Sequence, residues 1–143
     1  MKICYDLHIH SALSPCAEND MTPINIVAKA SACGLEMLSI TDHNAIDNVA
    51  SAMLVGEALG VTVVPGIEVQ TSEEIHFVCY FETFDDLKNF YKNLSFVVVK
   101  NRPDIFGEQL IINEDDEIVG SVERLLITSS NTSESDISKL AER

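Results

Sequence analysis

The chain has 143 residues, 46% of them hydrophobic, which suffices for one packed domain. Its 23 acidic residues against 9 basic ones leave a net charge of −14. No Lys/Arg cluster exists that could follow a phosphate backbone, so nucleic acid is not expected as a tightly held partner.

Ile3, Cys4 and Tyr5 open an apolar run that closes on Asp6-Leu7-His8-Ile9-His10-Ser11, so residues 2–7 are expected to form the first strand. An irregular loop follows through Asn19 and Asp20. Thr22-Pro23 announces a helix, with Thr22 as N-cap and Pro23 at the first helical position. Ile24, Val27, Ala28 and Ala30 supply its apolar stripe, and Gly34 its stop. Residues 35–40 read as a second strand ending in Thr41-Asp42-His43-Asn44. A second helix is expected from about Asp47 to Leu59, stopped by Gly60. Val61-Thr62-Val63-Val64 is a β-branched run of the kind buried parallel strands show. It breaks at Pro65-Gly66 and resumes as Ile67-Glu68-Val69-Gln70-Thr71.

This βαβαβ order predicts a parallel sheet, because each crossover is long enough for a helix. Residues 75–81 read as a further strand, close enough to its predecessor to be an antiparallel neighbour. Phe84 to Leu94 reads as a helix with Asp85 and Asp86 in its first turn. Residues 95–103 fit either a strand or a helix extension. Leu110-Ile111-Ile112 and Glu117-Ile118-Val119, joined by Asn113-Glu114-Asp115-Asp116, predict a hairpin. Ser133-x-x-Asp136 resembles the start of a last helix through Arg143. One domain without repeats or linker is expected.

The four histidines stand at strand ends or inside a strand. A strand alternates its side chains with period two, so His8 and His10 point to one side, about 6.5 Å apart along the strand. Two imidazoles so placed can converge on one ion at about 2.0–2.1 Å per bond. His43 follows Asp42 just past the second strand, Glu68 follows the Pro-Gly break, and His76 lies in the next strand. In parallel βα folds the carboxyl ends of the strands share one rim, where ligands bind. Singly, each residue has a plainer reading: solvated strand histidines, a neighbour of a helix cap at His43, a solvated acid at Glu68, a hydrogen-bonded strand residue at His76. Gathered on one rim, they point to a His/carboxylate metal centre.

Three motifs carry a family resemblance: Asp6-Leu7-His8-Ile9-His10-Ser11, Ile40-Thr41-Asp42-His43-Asn44 and Pro65-Gly66-Ile67-Glu68-Val69. In that order and spacing they resemble the polymerase and histidinol phosphatase (PHP) family of metal-dependent phosphoesterases, over roughly residues 3–81. The resemblance implies an α/β fold, a distorted (βα)7 barrel with two or three divalent ions (zinc, manganese or iron) at the carboxyl ends of the strands. It implies that His8 and His10 hold one ion with Glu68, and that Glu68 bridges to a second ion liganded by His76. A third ion would take His43 and a residue in the slot occupied by Cys16. Thiolate suits zinc better than magnesium or manganese. The alternative is a plain loop thiol at Cys16, with Glu18 or water in that slot. The family supplies further ligands late in the chain, and no histidine follows His76 here. A βα barrel typically needs about 200–250 residues, so residues 1–143 are expected to be the front portion of a longer PHP protein.

The implied activity is hydrolysis of a phosphate ester of a small substrate by a metal-activated water. Glu68 and Asp42 are the expected catalytic residues, Glu68 by joining two ions, Asp42 (with Asp6) by orienting ligand histidines. Two alternatives stand beside it: a metal-binding or regulatory PHP domain without turnover, and a polymerase-type 3′-5′ exonuclease. Cys4, Cys16, Cys33 and Cys79 show no paired spacing, and three of them are expected as reduced core residues. Met1-Lys2-Ile3 reads as running into a strand without a signal peptide, and no apolar run reaches the ~18 residues of a membrane span. A cytoplasmic protein without a membrane partner is expected. Part of a barrel also leaves an open side, over which the chain is expected to self-associate or to pack residues 95–143.

Overall fold

The computed structural model describes residues 2–141. β1 (Tyr5–Ile9), β2 (Met37–Ile40) and β3 (Thr62–Val63) form a parallel sheet in that order, with α1 (Pro23–Ala32) and α2 (Val49–Leu59) as crossovers. β4 (Gly66–Gln70) and β5 (His76–Tyr80) form an antiparallel pair, followed by α3 (Phe84–Lys92). The tail adds a short α4 (Pro103–Phe106), the hairpin β6 (Leu110–Ile112) and β7 (Ile118–Ser121), and α5 (Glu134–Ala141). The class is mixed α/β. The described strands lie in sheets of three, two and two strands, which do not close into a barrel.

Local chemistry accounts for most of these elements. Thr22 Oγ1 accepts the N–H of Asn25 at 3.3 Å, Pro23 occupies the first turn of α1, and Gly34 past its end has a φ of +79°. The buried stripe of α1 is Ile26, Val27 and Ala30; Ala28, expected inside, faces solvent, and Ile24 is half-buried. Asn48 stands at the N-cap of α2 but makes no capping bond there. Its side chain is spent on Ser11, Leu110 and Ile112, and the helix begins at Val49 rather than at Asp47. β1 also begins later than residues 2–7 suggested, because its first ladder partner pairs Tyr5 with Met37.

The expected third strand is in fact two strands in two sheets. Thr62 and Val63 pair with β2, and Pro65, lacking an N–H, follows the ladder's last bond from Val64 to Leu38. The chain then passes to β4, which is tied back to the end of β2 by a single parallel bridge between His43 and Glu68. Gly66 makes this approach possible. A Cβ there would lie 2.9 Å from Thr41 Cγ2 and closer still to the Ser39 hydroxyl.

Two apolar clusters hold the layers together. Ile26, Val27, Ala30, Ala52 and Val55 of the two crossover helices pack on Leu38, Ile40, Val61 and Val63. Ile67 and Val69 of β4 pack with Val49, Leu87, Phe90, Leu94 and Ile137, which draws α5 into the core. Each such side chain contributes about 1.5–3 kcal/mol on full burial. The cysteines are not the core residues expected. Cys4, Cys16 and Cys33 are exposed, and Cys79 is half-buried. Cys4 precedes an edge strand, and Cys33 sits at the C-cap of α1.

Residues 95–103 form neither a helix extension nor a regular strand. Phe96 and Lys100 make isolated antiparallel bridges to Ser130 and Arg124 before α4 begins. The tail seats on the loops that leave β1 and β2: Leu110 N–H donates to Ala12 O at 2.9 Å, and Leu126 packs with Leu13 and Ala45. Among the described residues, no helix is long and apolar enough to cross a membrane.

Candidate metal centre

Four elements deliver one cluster. β1 and the residue beyond it bring His8 and His10, the loop after β2 brings His43, β4 brings Glu68, and β5 brings His76. Glu68 stands in the middle with 6% of its side chain exposed. Its Oε2 lies 3.0 Å from His8 Nε2, 3.0 Å from His10 Nε2 and 3.6 Å from His43 Nδ1. Its Oε1 lies 2.6 Å from His76 Nδ1. The ladder explains the last contact: Glu68 pairs with Val78, so His76 is its diagonal neighbour across the two strands. Backbone bonds from Asn44 N–H to Glu68 O (2.8 Å) and from Glu68 N–H to Asp42 O (3.1 Å) hold the second and third motifs together.

The residues present fit a divalent ion. His8 Nε2 and His10 Nε2 are 3.1 Å apart, which with Glu68 Oε2 makes a nearly equilateral triangle of donor atoms. An ion bound at about 2.0–2.1 Å keeps neighbouring donors about 3.0–3.4 Å apart. His43 Nδ1 is buried without a hydrogen-bond partner, a ring nitrogen left free beside a carboxylate. Imidazole and carboxylate together suit zinc, iron or manganese.

Burial and the neighbouring groups shift the titration of the cluster. It pulls His10 below its ordinary value, helped by His8 and His76 and opposed by Glu68. It lowers His43 likewise. Burial pushes the Glu68 carboxyl up, but hydrogen bonds from His76 and His8 and the nearby rings outweigh it, and the net shift is downward. An ionised Glu68 facing His10 and His43 in their neutral form is the state in which metal ligands work.

Asp42 differs from expectation. It is fully buried, and its hydrogen-bond partners are Ser11 and Ser14 rather than a histidine ring. Its carboxylate accepts Ser11 N–H at 2.7 Å, Ser11 Oγ at 2.6 Å and Ser14 Oγ at 2.7 Å, so a serine stands between Asp42 and His10. Burial raises its pKa, and these donors offset part of the rise. Asp6 accepts the backbone N–H of His8 at 3.2 Å rather than a ring nitrogen. Neither aspartate therefore orients an imidazole directly.

Cys16 does reach the cluster. With His10 and His43 it forms a third group whose donor atoms all lie within 4.8 Å of one another. Partial burial raises its thiol pKa. Sequence reasoning passed over Ser11, Ser14 and Arg124. The two serines were visible as S-x-x-S after the paired histidines, but hydroxyls are common in any loop after a strand. Arg124 comes from the tail, donates Nη2 to Asn44 O at 2.9 Å and lies 4.1 Å from the centre of the Phe96 ring.

Fold and site together define a mixed α/β chain with a histidine/carboxylate cluster where two sheets meet. It belongs to the PHP family: the PHP domain family model matches residues 6–142. The chain is 32% identical over 77 residues to a 5′-3′ exoribonuclease of Haemophilus influenzae, an alignment covering 52% of this chain and 27% of that protein. It is 39% identical over 64 residues to the phosphoribosyl 1,2-cyclic phosphate 1,2-diphosphodiesterase of Eggerthella lenta, covering 45% and 23%. The chain thus spans about a quarter of the length of the curated relatives it matches. Among solved structures, an amidohydrolase of Chromobacterium violaceum with bound sulfate and no metal superposes with a TM-score of 0.51 at 27% identity, covering 62% of this chain and 32% of that one.

Proposed function

We propose that this chain is the metal-holding portion of a metal-dependent phosphoesterase that hydrolyses the ester of a small phosphorylated substrate. The observation that carries this reading is the triangle of His8 Nε2, His10 Nε2 and Glu68 Oε2, with edges of 3.0–3.1 Å. Divalent ions bound here supply Lewis acidity and a water of lowered pKa. The chain's own groups set where that chemistry happens. Glu68 turns Oε2 towards His8 and His10 and Oε1 towards His76, so it would contribute to holding an ion with either group of histidines. His43 offers its free Nδ1 to the same side. Cys16, grouped with His10 and His43, adds a sulfur donor that favours zinc over manganese in that group. Asp42, fully buried, acts behind these residues through Ser11 and Ser14.

The two curated relatives support hydrolysis of phosphate esters as the reaction class, one being an exoribonuclease and the other a diphosphodiesterase. The test has two steps. The purified chain should retain zinc or manganese through gel filtration, and hydrolysis of p-nitrophenyl phosphate and its bis-ester should stop with EDTA and return on metal addition. A chain that binds no metal, or hydrolysis indifferent to EDTA, overturns the reading. Metal bound without turnover favours a regulatory or structural metal domain. The exoribonuclease relative gives the nuclease alternative its footing; EDTA-sensitive shortening of single-stranded RNA or DNA, with inert small esters, would favour it despite the net charge of −14.

A further inference from the structure

We propose that residues 96–100 are a pairing edge, on which a second copy of this chain docks antiparallel about a twofold axis at Val98. The segment hydrogen-bonds the rest of the tail on one side only. Ser95 O accepts Asn131 N–H, Val99 O accepts Leu125 N–H and Asn101 N–H donates to Glu123 O, each at 2.7 Å. Along an antiparallel pair, one residue turns its N–H and C=O to the partner strand and the next turns them away. The odd-numbered residues are therefore spent on residues 123–131. Phe96, Val98 and Lys100 turn their backbone groups outward, where no described residue bonds them. Val98 is 84% exposed and stands between the exposed Val97 and Val99, so the edge is open and apolar. A β-branched run with no proline or charge at its centre lacks the devices that keep natural edge strands apart.

The chemistry of the edge selects its occupant. With Val98 on the axis, Val98 exchanges both backbone bonds with its counterpart, and Phe96 exchanges its pair with Lys100 of the second copy. Val97 then lies across from Val99, and Val98 from Val98, which are the β-branched cross-strand pairs that stabilise sheets. Charge points the same way. At a net charge of −14, two copies repel each other over most of their surface. From Leu87 to Pro103 the chain has no Asp or Glu, so no carboxylate stands in the edge. Lys100 falls across from Phe96 rather than from a second cation. An acidic foreign peptide would find little to hold, since Arg102 beside the edge is already bound to Asp104 at 2.7 Å.

So short an edge falls below the roughly 800 Å² per partner of a standard interface, so the dimer should form only at high concentration. The test follows the whole chain by sedimentation velocity from micromolar to near-millimolar concentration. EDTA is present throughout, so that no metal bridges the exposed His8 of two copies. A monomer–dimer equilibrium is expected, and it should tighten as added salt screens the net charge. Val98→Lys sets like charges on the axis and should return the chain to a monomer, whereas Val98→Ile should keep the dimer. Hydrogen–deuterium exchange should slow at residues 96–100 as concentration rises, with β7 unchanged. A wild-type chain that stays monomeric at every concentration overturns the proposal. A dimer that Val98→Lys leaves intact overturns it too, and places the contact on the free edge of β1 or on Ile118 and Val119. Assembly beyond a dimer also overturns it, because twofold pairing closes at two copies. If Val98→Lys does not fold, the exchange of the wild-type chain at residues 96–100 decides alone.

Discussion

Glu68 connects the cluster, and side-chain exposure separates its role from that of the histidines around it. It has 6% of its side chain exposed and faces four imidazoles, whereas His8 is 50% exposed and faces one end of the carboxylate. Glu68→Ala should therefore cut bound metal at least about tenfold in both groups that contain it, while His8→Ala should empty only the ion shared with His10. Elemental analysis of the two variants checks this; equal losses would contradict a carboxylate shared between two ions. The cysteines make a second residue-level comparison. Burial pushes the Cys79 thiol from 9.0 up to about 11, so the folded chain keeps a proton that the unfolded chain sheds. Its contribution to stability is complete below about pH 9 and is lost as pH rises towards about 11. In mildly alkaline buffer Cys79 should be alkylated last, after the exposed Cys4 and Cys33. Cys16 should react freely in chelator and slowly with zinc present. Equal Cys16 rates in the two buffers would return it to an ordinary loop thiol.

Among the elements, β4 shows where sequence patterns run out. Thr22-Pro23, Gly34 and Gly60 mark helix ends by backbone requirements that act locally, so α1 and the end of α2 were legible. The same holds for the antiparallel β4–β5 pair and for the β6–β7 hairpin, whose turns are short. The division of residues 61–71 into two strands was not legible. A Pro-Gly break serves equally well inside one strand and between two sheets, and what decides is the contact Gly66 makes with β2. The site was readable at the level of residue type, because His8, His10, His43 and Glu68 fall at strand ends. The serines behind it were not, since their partner Asp42 is distant in sequence. Gly66→Ala tests the element-level claim. Its Cβ would lie 2.9 Å from Thr41 Cγ2, which forces β4 and the Glu68 two residues on away from β2. The cost should be about 1–3 kcal/mol in stability, together with a clear loss of metal affinity. Gly60→Ala is the control, since its φ is 72° but nothing lies within 4 Å of an added Cβ. It should cost about 1–2 kcal/mol in stability and leave metal binding intact. If chelator competition finds the two variants equally tight, Gly66 does not position Glu68.

For the molecule as a whole, the question is what fastens the tail to the three motifs. Part of the apolar surface expected to be open is closed, with Val61 at 4% and Val63 at 8% exposure. Exposed apolar side chains lie both in the tail, with Val98 at 84% and Ile118 at 64%, and outside it, with Tyr5 at 62% and Leu54 at 49%. Two buried asparagines join the apolar contacts of Leu110, Ile112, Leu126 and Ile137 in fastening the tail. Asn44 Nδ2 donates to Leu126 O and Thr128 O, both at 2.9 Å, and its Oδ1 accepts Gln70 N–H at 3.1 Å. Asn48 Nδ2 donates to Ser11 Oγ and Leu110 O, both at 3.0 Å, and its Oδ1 accepts Ile112 N–H at 2.9 Å. These bonds span 62 residues from Asn48 to Leu110 and 84 from Asn44 to Thr128, which is why no local pattern announced them. Asn48→Ala would strand Leu110 O and Ile112 N–H in the interior, at about 1–3 kcal/mol for each group left unpaired. The expected total is about 2–6 kcal/mol. Because Asn48 also fills a lone pair of Ser11, the variant should loosen the support behind Asp42 and weaken metal binding as well. Hydrogen–deuterium exchange locates the effect: uptake should rise in residues 110–112 and in the loop at residues 11–14, with α1 unchanged. A variant whose exchange rises evenly across the chain would show that Asn48 stabilises the fold without coupling the tail to the metal cluster.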